Sequence, residues 1–438
     1  MKKIDSGLHY PLDMNTLSKT WSVSYIGDVA IEIQPGFASG EHNQEGTGIP
    51  HVRPMNINRQ GNLDLSVVKY VSPDKDKKRL RAGDVLFNNT NSPELIGKTT
   101  VINKDIDWAF SNHMTRIVFP QEVSPKFVAY QLHFLWSMGY FLHKCVKHVN
   151  QASISSKTLG DSVPLILAPF NEQKLIVSEI EKQFSRLDEA VAALKRVRAS
   201  LKRYKASVLK AAVEGRLVTS EQRKWKTTTV GEVSEVVTKG SSPNWQGFEY
   251  SSEGIVFVRS QNVSWGHLDL SDVAHLPLAF NKKEKKSVLK AGDVLLNIVG
   301  ASIGRAAVAT KSIEGGNINQ AVAVIRSLRD RMLPQFLMCY FLSEKVQKLI
   351  HAQKVDVARA NYSLEQIRKL SVHLPPLNEQ RNIVEEIESR LSVTEEIEEA
   401  IDINLKRAER LRQAILKKAF SGRLVPQKHN KEMAGKLS

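Results

Sequence analysis

One stretch of sequence occurs twice in this chain. Asn171-Glu172-Gln173 returns as Asn378-Glu379-Gln380, and Gly215-Arg216-Leu217-Val218 returns as Gly422-Arg423-Leu424-Val425, both displaced by 207 residues; over 171–218 against 378–425 the ungapped copies match at 19 of 48 positions. Upstream the correspondence continues. Gly48-Ile49, Val52-Arg53, Asn56, Gly61 and Leu63-Asp64-Leu65-Ser66 answer to Gly254-Ile255, Val258-Arg259, Asn262, Gly266 and Leu268-Asp269-Leu270-Ser271. Ala82-Gly83-Asp84-Val85-Leu86 answers to Ala291-Gly292-Asp293-Val294-Leu295, and Trp21 with Ile26-Gly27-Asp28-Val29 to Trp225 with Val230-Gly231-Glu232-Val233. A tandem duplication of this length constrains the fold more than any single motif, because both copies must satisfy one plan.

Within each copy a globular part precedes a long helix. Short β-branched runs such as Ile255-Val256-Phe257-Val258 and Val322-Ala323-Val324-Ile325 lie between Gly, Pro and Asn, which predicts strands and turns. An amphipathic helix is predicted at about 125–145 and 334–351, each opening on proline. Alternation at Val163, Leu165, Leu167 and at Leu370, Val372, Leu374 predicts a closing strand. Behind it, Asn171 and Asn378 read as helix N-caps, and no Gly or Pro follows until Gly215 and Gly422. Apolar residues at Ile180, Phe184, Leu187, Val191, Leu194, Leu201 and Val208 step by threes and fours, as do Ile383, Ile387, Leu391, Ile397, Ile401, Leu405, Leu411 and Ile415. A helix of ~40 residues is ~60 Å long and needs a partner for that stripe. Each helix is acidic early and basic late, so an antiparallel pairing of the two sets opposite charges against each other. The expected fold is α/β (α+β): two pseudo-symmetric globular domains, 1–168 and 219–374, separated by two long antiparallel coiled-coil helices at 169–218 and 375–425, with a tail at 426–438.

Charge narrows the class of partner. The 438 residues carry 62 Lys+Arg against 46 Asp+Glu, a net +16, with only two cysteines. A basic excess of that size favours a polyanion, most simply nucleic acid. Two cysteines exclude a disulfide scaffold, and the polar stretch after Met1-Lys2-Lys3, with no apolar run of ~18 residues, leads to the expectation of a cytoplasmic chain with no membrane partner. Each copy places a basic cluster just before its Ala-Gly-Asp: Lys75, Lys77, Lys78, Arg79 and Arg81 in one, Lys282, Lys283, Lys285, Lys286 and Lys290 in the other. Equivalent placement suits phosphate contacts, which are the same on any DNA sequence. The chain has no Gly-x-x-x-x-Gly-Lys-Ser/Thr loop, no Gly-x-Gly-x-x-Gly and no His-Glu-x-x-His. His143, Cys145 and His148 fall on different sides of a helix, a poor metal set. The expectation is therefore a chain with no catalytic residues, metal or cofactor of its own.

Two α/β units, each closed by Pro-x-x-Glu-Gln (169–173 and 376–380), a long helix and a Gly-Arg-Leu-Val end, resemble the specificity subunit of type I restriction-modification systems. The Gly-Asp-Val-Leu segments and the pair Asn319-Gln320, matched by Asn112-His113, belong to the same resemblance. It covers essentially the whole chain. It implies a DNA-recognition subunit that reads a bipartite, asymmetric target with two target recognition domains, the helices forming the spacer. It also implies two modification subunits that methylate adenine with S-adenosylmethionine and two restriction subunits that use ATP and Mg. A self-sufficient DNA-modifying enzyme and a coiled-coil scaffold without sequence-specific DNA binding are the competing readings. Base readout is expected where the copies differ within aligned loops: Asn88, Asn89, Thr90 and the residues to Ser92 against Asn297 to Gly300, and the region 34–44 against 238–250; Asn112, His113, Asn319 and Gln320 are expected among the DNA-binding residues.

Overall fold

The computed structural model describes residues 10–72, 79–149, 151–218, 225–352 and 361–426. It divides into two compact units, Met1–Ala193 with Ile403–Ser438, and Leu194–Asp402. Both are mixed α/β, and both are closed by two segments far apart in sequence.

In unit 1 the chain forms β1 (Ser22–Tyr25), α1 (Ile26–Val29), β2 (Glu32–Pro35), β3 (Ile49–Val52), β4 (Lys69–Val71), β5 (Val85–Asn88), β6 (Thr90–Asn91), β7 (Thr99–Val101), β8 (Ala109–Phe110) and β9 (Met114–Val118). Then come α2 (Pro125–Ser137), β10 (Val146–Lys147), β11 (Ala152–Ser153), α3 (Ser156–Ser162), β12 (Pro164–Leu167) and the first 24 residues of α4 (Phe170–Val213). An antiparallel sheet in the order β2-β9-β5-β7 carries α2 on one face, and a second sheet, β4-β3-β8, joins β3 and β8 in parallel. The closing strand β12 pairs with β1, so Trp21 and the start of α4 come together.

Unit 2 repeats the plan: β13 (Lys226–Thr229), β14 (Ser234–Lys239), β15 (Ile255–Val258), β16 (Ala274–Leu276), α5 (Ala279–Lys283), β17 (Val294–Asn297), β18 (Ala306–Val308), β19 (Asn317–Ile318), β20 (Val322–Ser327), α6 (Pro334–Leu342), α7 (Glu344–Ala352), α8 (Leu364–Lys369), β21 (Ser371–Leu374) and the head of α9 (Leu377–Phe420). Its sheets run β14-β20-β17-β18 and β16-β15-β19, and β13 pairs with β21. The single long helix expected over 334–351 is two helices. Ser343, extended at ψ 144°, ends α6, and its carbonyl starts α7 by accepting from Gln347 N at 2.9 Å. In unit 1, Gly139 at φ +76° stops α2 short of its expected end.

The repeated motifs have one structural job each. Both long helices begin one residue before the expected caps: the carbonyls of Pro169 and Pro376, not the Asn171 and Asn378 side chains, accept the first helical hydrogen bonds. The Glu and Gln that follow act as clamps. Glu172 accepts from the Trp21 indole N–H (3.1 Å), and Glu379 from that of Trp225 (3.0 Å). Gln173, buried, accepts from Ser124 N and donates to Ala168 O; Gln380, also buried, accepts from Leu333 N and donates to Arg331 O and Pro375 O. Asn56 and Asn262 hold the turn after β3 and β15 in the same manner, each accepting from the Arg N three residues earlier at 3.0 Å. These positions recur because the fold needs them twice.

The long helices pair antiparallel inside each unit. In unit 2, Arg198 bonds Asp402 and Lys205 bonds Glu398 (2.7 Å), residue numbers falling on one helix as they rise on the other. In unit 1, Arg412 bonds Asp188 and lies over the Phe184 ring at 4.7 Å. Helix tails complete both cores: Val208, Ala212 and Val213 of α4 pack with Phe336, Leu337 and Phe341, while Leu416, Ala419 and Phe420 of α9 pack with Phe127 and Phe134. The apolar stripe differs from expectation at three residues. Ile397 and Leu411 are exposed, and Thr394 is buried with its hydroxyl on Leu391 O, because a 3.6-residue helix drifts off a strict seven-residue stripe. Ile401 is 3% exposed whereas Leu194 is half-buried. Ile401→Ala is expected to cost about 2–3 kcal/mol and Leu194→Ala clearly less, measured by urea denaturation of the full chain; equal costs would contradict this seam.

Candidate nucleic-acid interface

In each unit one long loop leaves the large sheet and runs against the parallel strand of the smaller one. In unit 1 the loop follows β2. A Cβ on Gly36 would fall inside the Phe110 carbonyl, so only glycine permits the passage. Phe37 N then donates to Phe110 O (3.2 Å), and Asn112 N donates to Phe37 O (3.0 Å). The loop is thereby stitched to the Asn112-His113 turn. Asn112 is exposed with its carbonyl oxygen accepting from Ser111 Oγ, and His113 is half-buried. In unit 2 the loop after β14 makes the same passage at Gly240, whose Cβ would meet the Ile318 carbonyl. Asn319 N donates to Val258 O (3.1 Å), its side chain accepts from Ala321 N, and Asn319 and Gln320 are half-buried. The structure therefore brings the loop regions beside these turns in both copies but shifts the expected match by one residue: Ser111 N donates to Val52 O (2.9 Å) as Asn319 N does to Val258 O, so Gln320 corresponds to Asn112, and Asn319 to Ser111.

Other expected residues are not on this surface. Asn88 and Asn297 are fully buried, with amides donating to Leu95 O (2.9 Å) and Ser260 O (2.8 Å). Asn89 is buried too; it donates to Asn112 O (3.1 Å) and Thr115 Oγ1 (2.8 Å) and accepts from Thr90 Oγ1. Their expected role as base readers is corrected to that of scaffold. The asparagine-rich run reads as loop chemistry, but β6 pairs Thr90 with Ser153 and Asn91 with Ala152, and the buried amides are taken up by backbone carbonyls and the Thr115 hydroxyl. Thr90, half-buried, belongs to that small sheet. Arg79 is likewise committed: it lies 3.4 Å from Asp107 and is mostly buried, a correction to its expected exposure to phosphate. Lys75, Lys77 and Lys78 lie outside the described residues.

The second basic cluster is exposed as expected. Lys282 and Lys283 end α5, Lys285 and Lys286 follow in a 3₁₀ turn, and all four reach solvent. Lys283 Nζ donates to Gln246 O (2.9 Å), which ties the cluster to the loop after β14; Lys286 lies 3.8 Å from Glu284.

Two substitutions between the copies escaped sequence reasoning. Lys98 of unit 1 is buried and donates to Pro54 O (3.3 Å) and Ile57 O, the carbonyls equivalent to those capped by the Asn297 amide in unit 2. Burial, with Arg59 nearby, lowers its pKa. His51 occupies the place of Phe257, its ring 5.3 Å from Phe37 and 5.8 Å from His42; burial chiefly, then Arg53 and His42, push it down to about 4. The floor under the unit 1 loop is thus a neutral ring near pH 7. Aligning Gly48-Ile49-Pro50-His51 with Gly254-Ile255-Val256-Phe257 would have found it.

A family profile described as the type I restriction modification DNA specificity domain matches residues 18–202 and again 222–407. The chain is 29% identical over 299 residues to the EcoBI specificity subunit of Escherichia coli, an alignment spanning 64% of this chain and 61% of that protein. It is 23% identical to the EcoKI specificity subunit of Escherichia coli K12, over 86% of this chain and 83% of that one. Among solved structures it resembles the HsdS subunit from Thermoanaerobacter tengcongensis (TM-score 0.57, 19% identity, 94% and 99% of the two chains). A chain from a structure of type I R-M system assembly and conformational transition gives a TM-score of 0.72 at 21% identity, covering 94% and 100%. Among the described residues no helix is long and apolar enough to cross a membrane.

Proposed function

Because the chain belongs to the type I restriction-modification specificity family, matched by its two repeated DNA specificity domains, we propose that it binds a bipartite, asymmetric DNA target and directs adenine methylation and cleavage by partner subunits. The observation that carries this reading is the duplication itself. The same scaffold, clamped by the same Trp-Glu and Gln contacts, occurs twice, and each copy presents a different loop beside a different turn. Positions identical in both copies do not distinguish half-sites, so the differing loops carry the sequence information.

In this reading the recognition domains are 1–168 and 219–374, joined by the helical segments 169–218 and 375–425. Two modification subunits supply S-adenosylmethionine chemistry, and two restriction subunits supply ATP- and Mg-dependent cleavage. The chain's own contribution is recognition. Exposed lysines neutralise phosphates, and loop side chains reach groove edges together with the exposed Asn112 and the half-buried His113, Asn319 and Gln320.

Exchanging residues 21–168 for the matching region of another such subunit is expected to change one half of the methylated motif and leave the other half intact. Methylation-sensitive sequencing of a host carrying the chain and a modification subunit reads the outcome. Change in both halves, or in neither, would refute one reader per repeat.

A further inference from the structure

We propose that Trp245 contacts bases at the half-site read by unit 2, its indole entering a groove of the DNA duplex while the lysines of α5 and the following turn hold the flanking phosphates. This deepens the DNA-recognition reading and rests on it.

The region from Gly240 to Tyr250 contains several large apolar side chains, and the fold treats them differently. Phe248 packs edge-on to Phe280 at 5.4 Å, Phe280 packs on Phe257 at 5.5 Å, and Tyr250 lies 6.1 Å from Phe257. Three residues before Phe248, Trp245 stays outside this cluster with 80% of its surface exposed. Looseness does not explain the exposure, because the turn that carries it is tightly bonded. Gln246 N and Phe248 N both donate to Pro243 O (2.9 and 3.0 Å), Gly247 N donates to Asn244 O, and the Gln246 amide donates to Ser241 Oγ (2.9 Å). A lone exposed ring is ordinary on a protein surface, but one fixed by a bonded turn tied to a basic cluster forgoes burial at a place suited to a charged partner.

Charge identifies that partner. Lys283 donates to the carbonyl of Gln246, the residue after Trp245, and Lys282, Lys285 and Lys286 lie within three residues of Lys283 in sequence, all exposed. An exposed aromatic ring on a turn bonded to one lysine of an exposed basic cluster suits a polyanion whose charged backbone borders stacked apolar rings, which describes duplex DNA. Unit 1 has no tryptophan in the equivalent loop, where Phe37 is half-buried against His51. The two half-sites are therefore read by different means.

The test uses the full chain with its modification subunit. A duplex is selected by the wild-type assembly from a random pool, and affinity is then measured over a range of salt concentrations. Trp245→Ala is expected to weaken binding to the selected duplex by roughly tenfold or more, the scale of one base pair's contribution in a specific site, with the salt slope and the affinity for unselected DNA unchanged, and Trp245→Phe to fall between. Lys282→Ala with Lys285→Ala is expected to weaken both kinds of duplex and to flatten the slope by about 0.9 for each phosphate left without its lysine. Wild-type affinity in Trp245→Ala, equal weakening on selected and unselected duplexes, or loss of subunit assembly instead of DNA binding would each overturn the assignment. If the wild-type assembly selects no duplex, the recognition reading itself falls, and this inference with it.

Discussion

Asp293→Ala is expected to destabilise unit 2 by about 3–5 kcal/mol, the cost of stranding a buried charge. Asp293 is 1% exposed and takes both ends of the Arg326 guanidinium at 2.7 Å, while its carboxylate also accepts from Lys290 N at 2.8 Å. Among the described residues the variant leaves Arg326, itself mostly buried, with the Val288 carbonyl as hydrogen-bond partner and the Glu235 charge at longer range. Unit 1 supplies an internal control. There Asp84 sits 3.8 Å from Arg116, which keeps Glu32 at 2.9 Å and Gln34 at 3.0 Å, and burial raises the Asp84 carboxyl above the usual range despite the Arg81 amide and Arg116. Asp84→Ala is therefore expected to cost about half as much or less. Replacing Asp293 and Arg326 together by apolar residues should recover part of the loss, since the unpaired ion is then gone. Calorimetry of the three variants decides it; equal losses at Asp84 and Asp293 would contradict the pairing.

Unit 1 is expected to lose stability between pH 6.5 and about 4, and unit 2 to lose less. The buried histidines among the described residues, His51 and His133, both lie in unit 1. Burial is the main cause that brings each down to about 4; Arg412 and Lys98 add to it at His133, against a backbone hydrogen bond at Arg59. Their ordinary value is 6.5, so between 6.5 and about 4 the unfolded chain binds protons that the folded chain has released. Stability that is fully present above pH 6.5 is lost as pH falls through about 4. The two sites together amount to a loss on the order of a few kcal/mol. The remedy is written in the other copy. His51 corresponds to Phe257, and His133, whose ring packs against Gly61, corresponds to Leu342, which packs against Gly266. His51→Phe with His133→Leu is expected to flatten the acid response of unit 1. Hydrogen exchange resolved by unit, compared at pH 4.5 and 7, measures both responses, and an unchanged acid response in the double variant would show that other groups are responsible.

Much of this was legible in one sequence because the sequence contains its own comparison. The repeats at 207 residues, the mixed α/β character, the closing strands β12 and β21 and the two 44-residue helices all follow from local patterns that occur twice. Periodicity and the acidic-to-basic gradient were enough to pair the helices antiparallel, because charge order along a helix is a property of the chain alone.

What the chain could not show is which polar side chains remain in water. Asn88, Asn89 and Asn297 look like loop asparagines, yet they are buried and donate to backbone carbonyls, and Arg79 spends its charge on Asp107. Trp245 has the composition of a core residue and lies outside the core. Helix and strand propensity depend on neighbours a few residues away, whereas burial depends on partners such as Thr115, Ser260 or Phe280, tens of residues distant. The repeated scaffold and its two long helices are therefore already written in the amino-acid pattern. Which residues that scaffold consumes and which it leaves exposed to solvent depends on packing in three dimensions, because each buried polar group must find its hydrogen-bond partner in space.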